Sequence, residues 1–224
     1  VPMSYALVVA ETRRNIFEER NMDSIGLCSL MGKDAFLLIP SGDYNVNEQY
    51  LNGIIKVKVE ESMFLNPVVM VNILEKIMAS HGKPDLMVFT NSASGTELAS
   101  YAAGYFNVPI ITDVSAYDKE RGTFSKSYYS DKIFGEFKPS GEGTFIITVR
   151  SGSFKENLCD RNANPSLEIV EDVETNTTRT FMEFVEEEKS GIDITKAEFL
   201  LSIGRGTGNN EEVAEYEELA KLLK

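Results

Sequence analysis

"PDLMVFTNSASGTELASYAAGYFNVPIIT", Pro84 to Thr112, is the stretch on which the fold turns. Pro84 to Thr90 is a short, almost continuous apolar run, the pattern of a strand covered on both faces. A serine- and glycine-bearing loop, "NSASGTE" (Asn91 to Glu97), opens a helix that reaches Tyr105 and Phe106, and "IIT" resumes as a strand before Asp113. Strand, loop, helix and strand in this order make a crossover unit, and such units join parallel strands.

Upstream the same alternation repeats. "YALVVA" (Tyr5 to Ala10), "DAFLLIP" (Asp34 to Pro40) and "IIKVKVE" (Ile54 to Glu60) read as strands. "NPVVMVNILEKIMASHG" is the clearest helix: Pro67 suits a first turn after Asn66, and Val71, Leu74, Ile77 and Met78 keep a helical spacing until Gly82. "NIFEERNMDSIGLCSLMG" carries a broken helical pattern (Ile16, Ile25, Leu27, Leu30) ending at Gly32. The expected fold class is α/β, a doubly wound, mostly parallel sheet.

After Asp113 the character changes. "GTFSKSYYS", "KIFGEFKP" and "GTFIITVRS" are aromatic and β-branched runs separated by turns, expected to form a protruding three-stranded antiparallel meander. Residues 160–180 are polar and turn-rich, with room for one edge strand. The expected division is a scaffold domain over 1–160 with its antiparallel extension at about 120–154, an acidic connector over 161–195, and a last piece over 196–224. That piece, "KAEFLLSIGRGTGNNEEVAEYEELAKLLK", sets an apolar run (Phe199 to Ile203), a glycine turn and a helix in series, as if opening a further domain. The apolar stripe Val213, Tyr216, Leu219, Ala220 and Leu223 of that helix needs a surface to bury against.

Composition excludes several functions. The 224 residues are 42% apolar with a net charge of −13, so a phosphate backbone would be repelled and nucleic-acid binding is not expected. "EFVEEEKSG" (Glu183 to Gly191) is the densest acidic run and reads as a solvated helix end. No apolar run is long enough for a membrane span and the N-terminus lacks signal-peptide features, so a cytoplasmic protein without membrane insertion is expected. Cys28 and Cys159 form no ligand-spaced pair, and His81, the only histidine, sits where a helix should end. Neither a metal site nor a histidine-based catalytic triad is expected, and no carboxylate pair stands out. "NTT" at Asn176 matches a glycosylation triplet by coincidence.

Two loops could hold a ligand. "NSASGTE" follows a strand and precedes a helix, where open α/β sheets bind ligands; Ser94 and Thr96 could cap that helix or hold an anion. "GRGTG" (Gly204 to Gly208) offers close backbone approach and helix-start amides to a phosphate, although Glu211 and Glu212 in the first helical turn oppose one. Arg150 in "TVRSGSF" and Asp113 are expected to serve as a structural ion pair or subunit contact and as a turn residue.

Four stretches in order, "ALVVAE", "FTNSASGTELASYAAGYFNVPIITDV", "VRSGSF" and "SIGRGTG", resemble the alpha subunit of electron transfer flavoproteins across nearly the whole chain. The resemblance implies a sheet related to adenine-nucleotide hydrolase-like folds, a beta-type partner subunit, and FAD held by a second domain whose first strand and glycine turn match Glu198 to Gly208. It places Arg205, flanked by Gly204 and Gly206, against the flavin, where a guanidinium fork suits phosphate or a reduced, anionic flavin. The family's usual basic residue after the "SASG" loop is missing from "TELASYAAGYF", and so are the downstream segments that wrap the flavin. The expectation is therefore an electron carrier component without a bond-making active site, binding FAD weakly or not at all in this chain and able to form a homodimer in isolation. The alternative is an adenine-nucleotide-binding or regulatory module using the Asn91 to Glu97 loop.

Overall fold

The computed structural model describes residues 4–161, 164–185, 199–208 and 210–223. They form two units, 1–181 and 182–224 by chain position. Within the first, the strands are β1 (Tyr5–Val9), β2 (Thr12–Arg13), β3 (Ile16–Phe17), β4 (Asp34–Pro40), β5 (Gly53–Val57), β6 (Leu86–Thr90), β7 (Ile110–Val114), β8 (Ala116–Asp118), β9 (Thr123–Tyr128), β10 (Ile133–Phe137), β11 (Phe145–Val149) and β12 (Ser166–Val170). Its helices are α1 (Asn21–Leu30), α2 (Glu61–Phe64), α3 (Pro67–His81) and α4 (Ala93–Phe106).

Seven strands make one parallel sheet in the order β12-β5-β4-β1-β6-β11-β7, as the alternation of strands and helices predicts. Side chains on alternate faces divide the core. Leu7, Val9, Met87, Phe89 and Ile146 meet the apolar faces of α3 and α4. Ala6, Val8, Leu86, Val88 and Ile147 meet Met22, Ile25 and Leu27 of α1. Both faces are dry, which is why these strands read as continuous apolar runs rather than alternating ones.

The antiparallel sheet is three-stranded, but its members are β8, β9 and β10. "GTFIITVRS", expected as its third strand, instead inserts β11 in parallel between β6 and β7, with Ile146 opposite Met87 on one side and Ile110 on the other. The reason lies in the side chains. Ile146 to Val149 are all buried, whereas β10 ("IFGEF") leaves Ile133 and Phe134 more than half exposed. An uninterrupted apolar strand has no wet face and must go to the centre of a covered sheet.

Local chemistry explains the helix ends. The Asn66 side chain accepts from the Val68 amide with Pro67 in the first turn, and Gly82 (φ 80°) closes α3. The cap of α4 is Ser92, whose Oγ accepts from the Gly95 amide at 2.9 Å, not Ser94 or Thr96. The expected helix from Ile16 starts only at Asn21, because Arg14 and Asn15 adopt left-handed conformations and fold Thr12 to Phe17 into a hairpin.

The second unit contains α5 (Asn210–Leu222), preceded by a single 3₁₀ turn over Arg205–Thr207. The expected strand over Phe199 to Ile203 is not formed: Phe199 and Leu200 are 62% and 60% exposed. A strand is held by hydrogen bonds to a neighbour, and among the described residues these have none. Tyr216, Leu219 and Leu223 of the predicted stripe are exposed. Most of the acidic run 183–191 lies outside the described residues.

Candidate functional site

In a doubly wound sheet the ligand crevice lies where strand order reverses, beyond the carboxyl ends of the strands. Here β4 and β5 lie on one side of β1 and β6 on the other, so the reversal falls between β1 and β6. The cleft there is lined by Ala10, Glu11, Leu65, Phe89, Thr90, Ser94 and Leu98, among others. It is the right place, and the protein's own side chains fill it.

Glu11, directly after "YALVVA", turns its carboxylate into the cleft and accepts a hydrogen bond from the Thr90 hydroxyl. Arg20 stands 3.9 Å away, and the Glu11 side chain is 16% exposed. Its backbone is held on both sides by the buried Asn21, which accepts from the Glu11 amide and donates to the Glu11 carbonyl, each at 2.8 Å. On the other wall Gly95 lies so close that a Cβ there would sit 2.1 Å from the Thr90 carbonyl oxygen. A fixed carboxylate in this position repels a phosphate. The loop Asn91 to Glu97 thus spends polar groups on the protein itself, with Ser92 on the cap and Thr96 donating to the Asn91 side-chain Oδ1 at 3.3 Å.

Beside the cleft a second polar cluster ties the antiparallel sheet to the parallel one. Arg150, past the end of β11, donates through Nε and Nη2 to both Asp113 oxygens at 3.0 and 2.6 Å, and Nη2 also reaches Ser127 Oγ at 2.7 Å. Its Nη1 donates to Asp131 at 3.1 Å. Asn91 donates to Asp113 at 2.8 Å and accepts from Thr148 at the same distance. Bonds to Asp113 and Asp131 hold the guanidinium charge more firmly than usual, and bonds from Ser127 and Arg150 hold the Asp131 carboxyl below its ordinary range. One guanidinium holds both carboxylates, so the cluster joins the two sheets. It realises the structural ion pair expected of Arg150 and gives Asp113, at φ 61°, the partner its sequence position did not reveal.

The "VRSGSF" turn has a third fixture, invisible in the sequence pattern. Asp23 of α1, 3% exposed, accepts from the amides of Gly152, Phe154 and Lys155 at 2.9, 2.7 and 3.0 Å. Gly26 allows the approach, since a Cβ there would lie 2.0 Å from the Phe154 carbonyl oxygen. The two cysteines are free, and burial pushes the Cys28 thiol up to about 12. Among the described residues no cluster of three or more acidic, cysteine or histidine side chains could hold a metal ion. His81 ends α3, as expected, and its Nε2 lies 2.6 Å from Glu168.

Gly204, Arg205 and Gly206 sit together at the exposed turn before α5. The Thr207 amide and hydroxyl both return to the Gly204 carbonyl, at 3.2 and 2.6 Å. Nothing lies within 4 Å of a Cβ built on Gly204 or Gly206, so the turn's backbone is open to an approaching group. A guanidinium beside accessible glycine amides suits an anion such as a pyrophosphate. Residues 199–206 and Gly208 are exposed.

The arrangement defines a class: a doubly wound α/β scaffold whose ligand crevice is closed by its own carboxylate, followed by a glycine-turn unit. Residues 50–175, more than half of the chain, match the electron transfer flavoprotein domain, and the chain belongs to that family. It is 27% identical to the electron transfer flavoprotein subunit alpha of Methylophilus methylotrophus, over 97% of this chain and 70% of that one. It is 25% identical to the subunit alpha of Bacillus subtilis over 62% of this chain, and 24% identical to protein FixB of Escherichia coli O1:K1 over 67%. The matches span 43% and 49% of those last two proteins. The family and the fold class agree with those the ordered motifs imply. No helix among the described residues is long and apolar enough to cross a membrane.

Proposed function

We propose that this chain is the alpha-type component of an electron transfer flavoprotein, an electron carrier without a bond-making site of its own. The observation that carries the reading is the Glu11 and Thr90 closure of the switch-point cleft in a member of this family. A unit that fills its own crevice is suited to act as scaffold and docking platform rather than as a nucleotide site. The same closure argues against the alternative of an adenine-nucleotide module at Asn91 to Glu97.

In this reading residues 1–160 are the scaffold, 161–195 the connector, and 196–224 the first strand, turn and helix of an FAD-type domain. Arg205 meets the anionic part of FAD, and Gly204 and Gly206 let the backbone approach it. The strand over 199–203 forms only when neighbouring strands are supplied, so FAD binds this chain alone weakly or not at all. A beta-type subunit is the expected partner, a homodimer is the substitute in isolation, and the cytoplasm is the expected compartment. FAD supplies reversible electron storage, and the protein supplies binding, orientation and docking.

The test is a visible absorption spectrum after incubation with FAD and removal of the excess, alone and with a beta-type subunit. Flavin bands retained with the subunit and lowered by Arg205→Ala support the assignment. Retention insensitive to Arg205→Ala sinks the role given to that residue. AMP binding at the Asn91 loop would reinstate the alternative.

A further inference from the structure

From Glu171 to Val185 the chain takes up no regular structure, yet residues 171–179 are held along their length. Only Val173 and Thr177 turn inward, Val173 against the α3 and α4 side of the core. Most of the rest of the attachment comes from side chains at α3 and α4 that reach this segment. Lys76 Nζ donates to the carbonyls of Glu171 and Asp172 at 2.5 and 2.9 Å, and Asn72 Nδ2 to that of Glu174 at 2.9 Å. Asn66, the residue that caps α3, uses its amide nitrogen on the Thr177 hydroxyl at 3.0 Å. Arg179 then donates to Glu97 of α4 at 2.8 Å.

Most of these bonds take main-chain carbonyls or a hydroxyl. Of the segment's own charged side chains, Glu171 and Arg179 add ion pairs, with Lys58 at 2.7 Å and with Glu97. Asn66 at the cap of α3 and the half-buried Asn72 and Lys76 along it lay out the track of the segment. The segment ends beside α4, and there the first unit ends, at residue 181.

We propose that residues 171–179 form a releasable strap, clasped by Asn66, Asn72, Lys76 and Glu97, that fixes the point from which the second unit is tethered. Released, the strap adds roughly 30 Å of extended chain to that tether, which lowers the effective concentration of whatever the second unit must meet. Asn72, Lys76 and Glu97 are thereby positioning residues for the carrier unit. The functional part of this inference rests on the flavoprotein reading; the clasp itself does not.

The test uses the whole 224-residue chain. Asn72→Ala with Lys76→Met removes three bonds from half-buried helix positions and leaves Arg179 and Glu97 in place. Tryptic cleavage after Arg179, followed by mass spectrometry, should run about tenfold faster than in the parent, since cleavage follows the population of the released segment. The radius of gyration from solution scattering should rise with it. Cleavage at the parental rate overturns the clasp. Faster cleavage with an unchanged radius of gyration overturns the tether control and leaves the clasp standing. Should the double variant melt early, Lys76→Met alone replaces it, with about a threefold rise expected and parental cleavage again decisive against the proposal. Failure to bind FAD in any of these variants bears on the flavoprotein reading and on neither of these outcomes.

Discussion

Two glycine-bearing turns in this molecule precede helices, and they behave in opposite ways. At the first, Gly95 lies against Thr90, Ser92 caps the helix, and Glu11 takes the space between β1 and β6. At the second, Gly204 and Gly206 face open space and Arg205 is exposed. The same residue types thus mark a filled joint in one unit and an available surface in the other. A glycine signals that a backbone comes close to something; it does not say whether that something is the protein itself or a ligand.

The largest effect that would test this contrast is at a filled joint. Asp23→Ala leaves three amides at the 152–155 turn without their acceptor, and should cost about 3–5 kcal/mol in chemical denaturation of the whole chain. A loss under 1 kcal/mol would mean that the turn finds other partners. Next, Gly95→Ala forces a methyl group onto the Thr90 carbonyl and should cost about 2–3 kcal/mol, whereas Gly206→Ala should stay within about 0.5 kcal/mol. Equal costs at the two positions would erase the comparison.

Arg150→Lys trades a two-pronged bond for a point charge and should cost about 1–2 kcal/mol, near the lower end for charged hydrogen bonds because the side chain is a third exposed. The pH dependence has a definite sign. The Asp131 carboxyl is held below its ordinary range, so its contribution is present above the ordinary carboxylate pKa and fades as pH falls through the depressed one. Acid unfolding followed by circular dichroism should therefore be less steep in Asp131→Asn than in the parent; matching curves would show that Asp131 carries no such linkage. Smallest is a difference in thiol reactivity. Exposed Cys159 should react with a thiol reagent in the folded protein, and Cys28, fully buried and shifted to about 12, only after unfolding. Two fast thiols in the native protein would contradict the packing of α1.

Much of the scaffold was legible from local pattern. Asn66 and Pro67 announced the start of α3, and Gly82 its end, because capping is settled within a few neighbouring residues. "YALVVA" and "PDLMVFT" announced buried strands by their lack of polar positions. The destination of β11 was less visible, although its unbroken apolar run already set it apart from the alternating "KIFGEF". Position after two meander-like runs suggested membership, and burial on both faces decided otherwise.

The site was harder to read because its parts are distant in sequence. Glu11 meets Thr90 across 79 positions and Asp23 meets Phe154 across 131. In an acidic chain no local signal separates these carboxylates from the solvated ones. Likewise "FLLSI" has the composition of a strand, but strand formation depends on a neighbour's hydrogen bonds and not on composition.

By itself the sequence determined most of the long helices and buried strands of the first unit, where those helices stop, and, through four motifs in order, the family. Those properties follow from short-range periodicity, capping and chain order. Only the tertiary structure decided that β11 lies in the parallel sheet, that Glu11 closes the switch-point cleft, and that the polar connector is clasped along α3. These depend on which distant groups are brought within bonding distance, and hydrogen bonds of about 3 Å are specified by the packed fold and not by spacing along the chain.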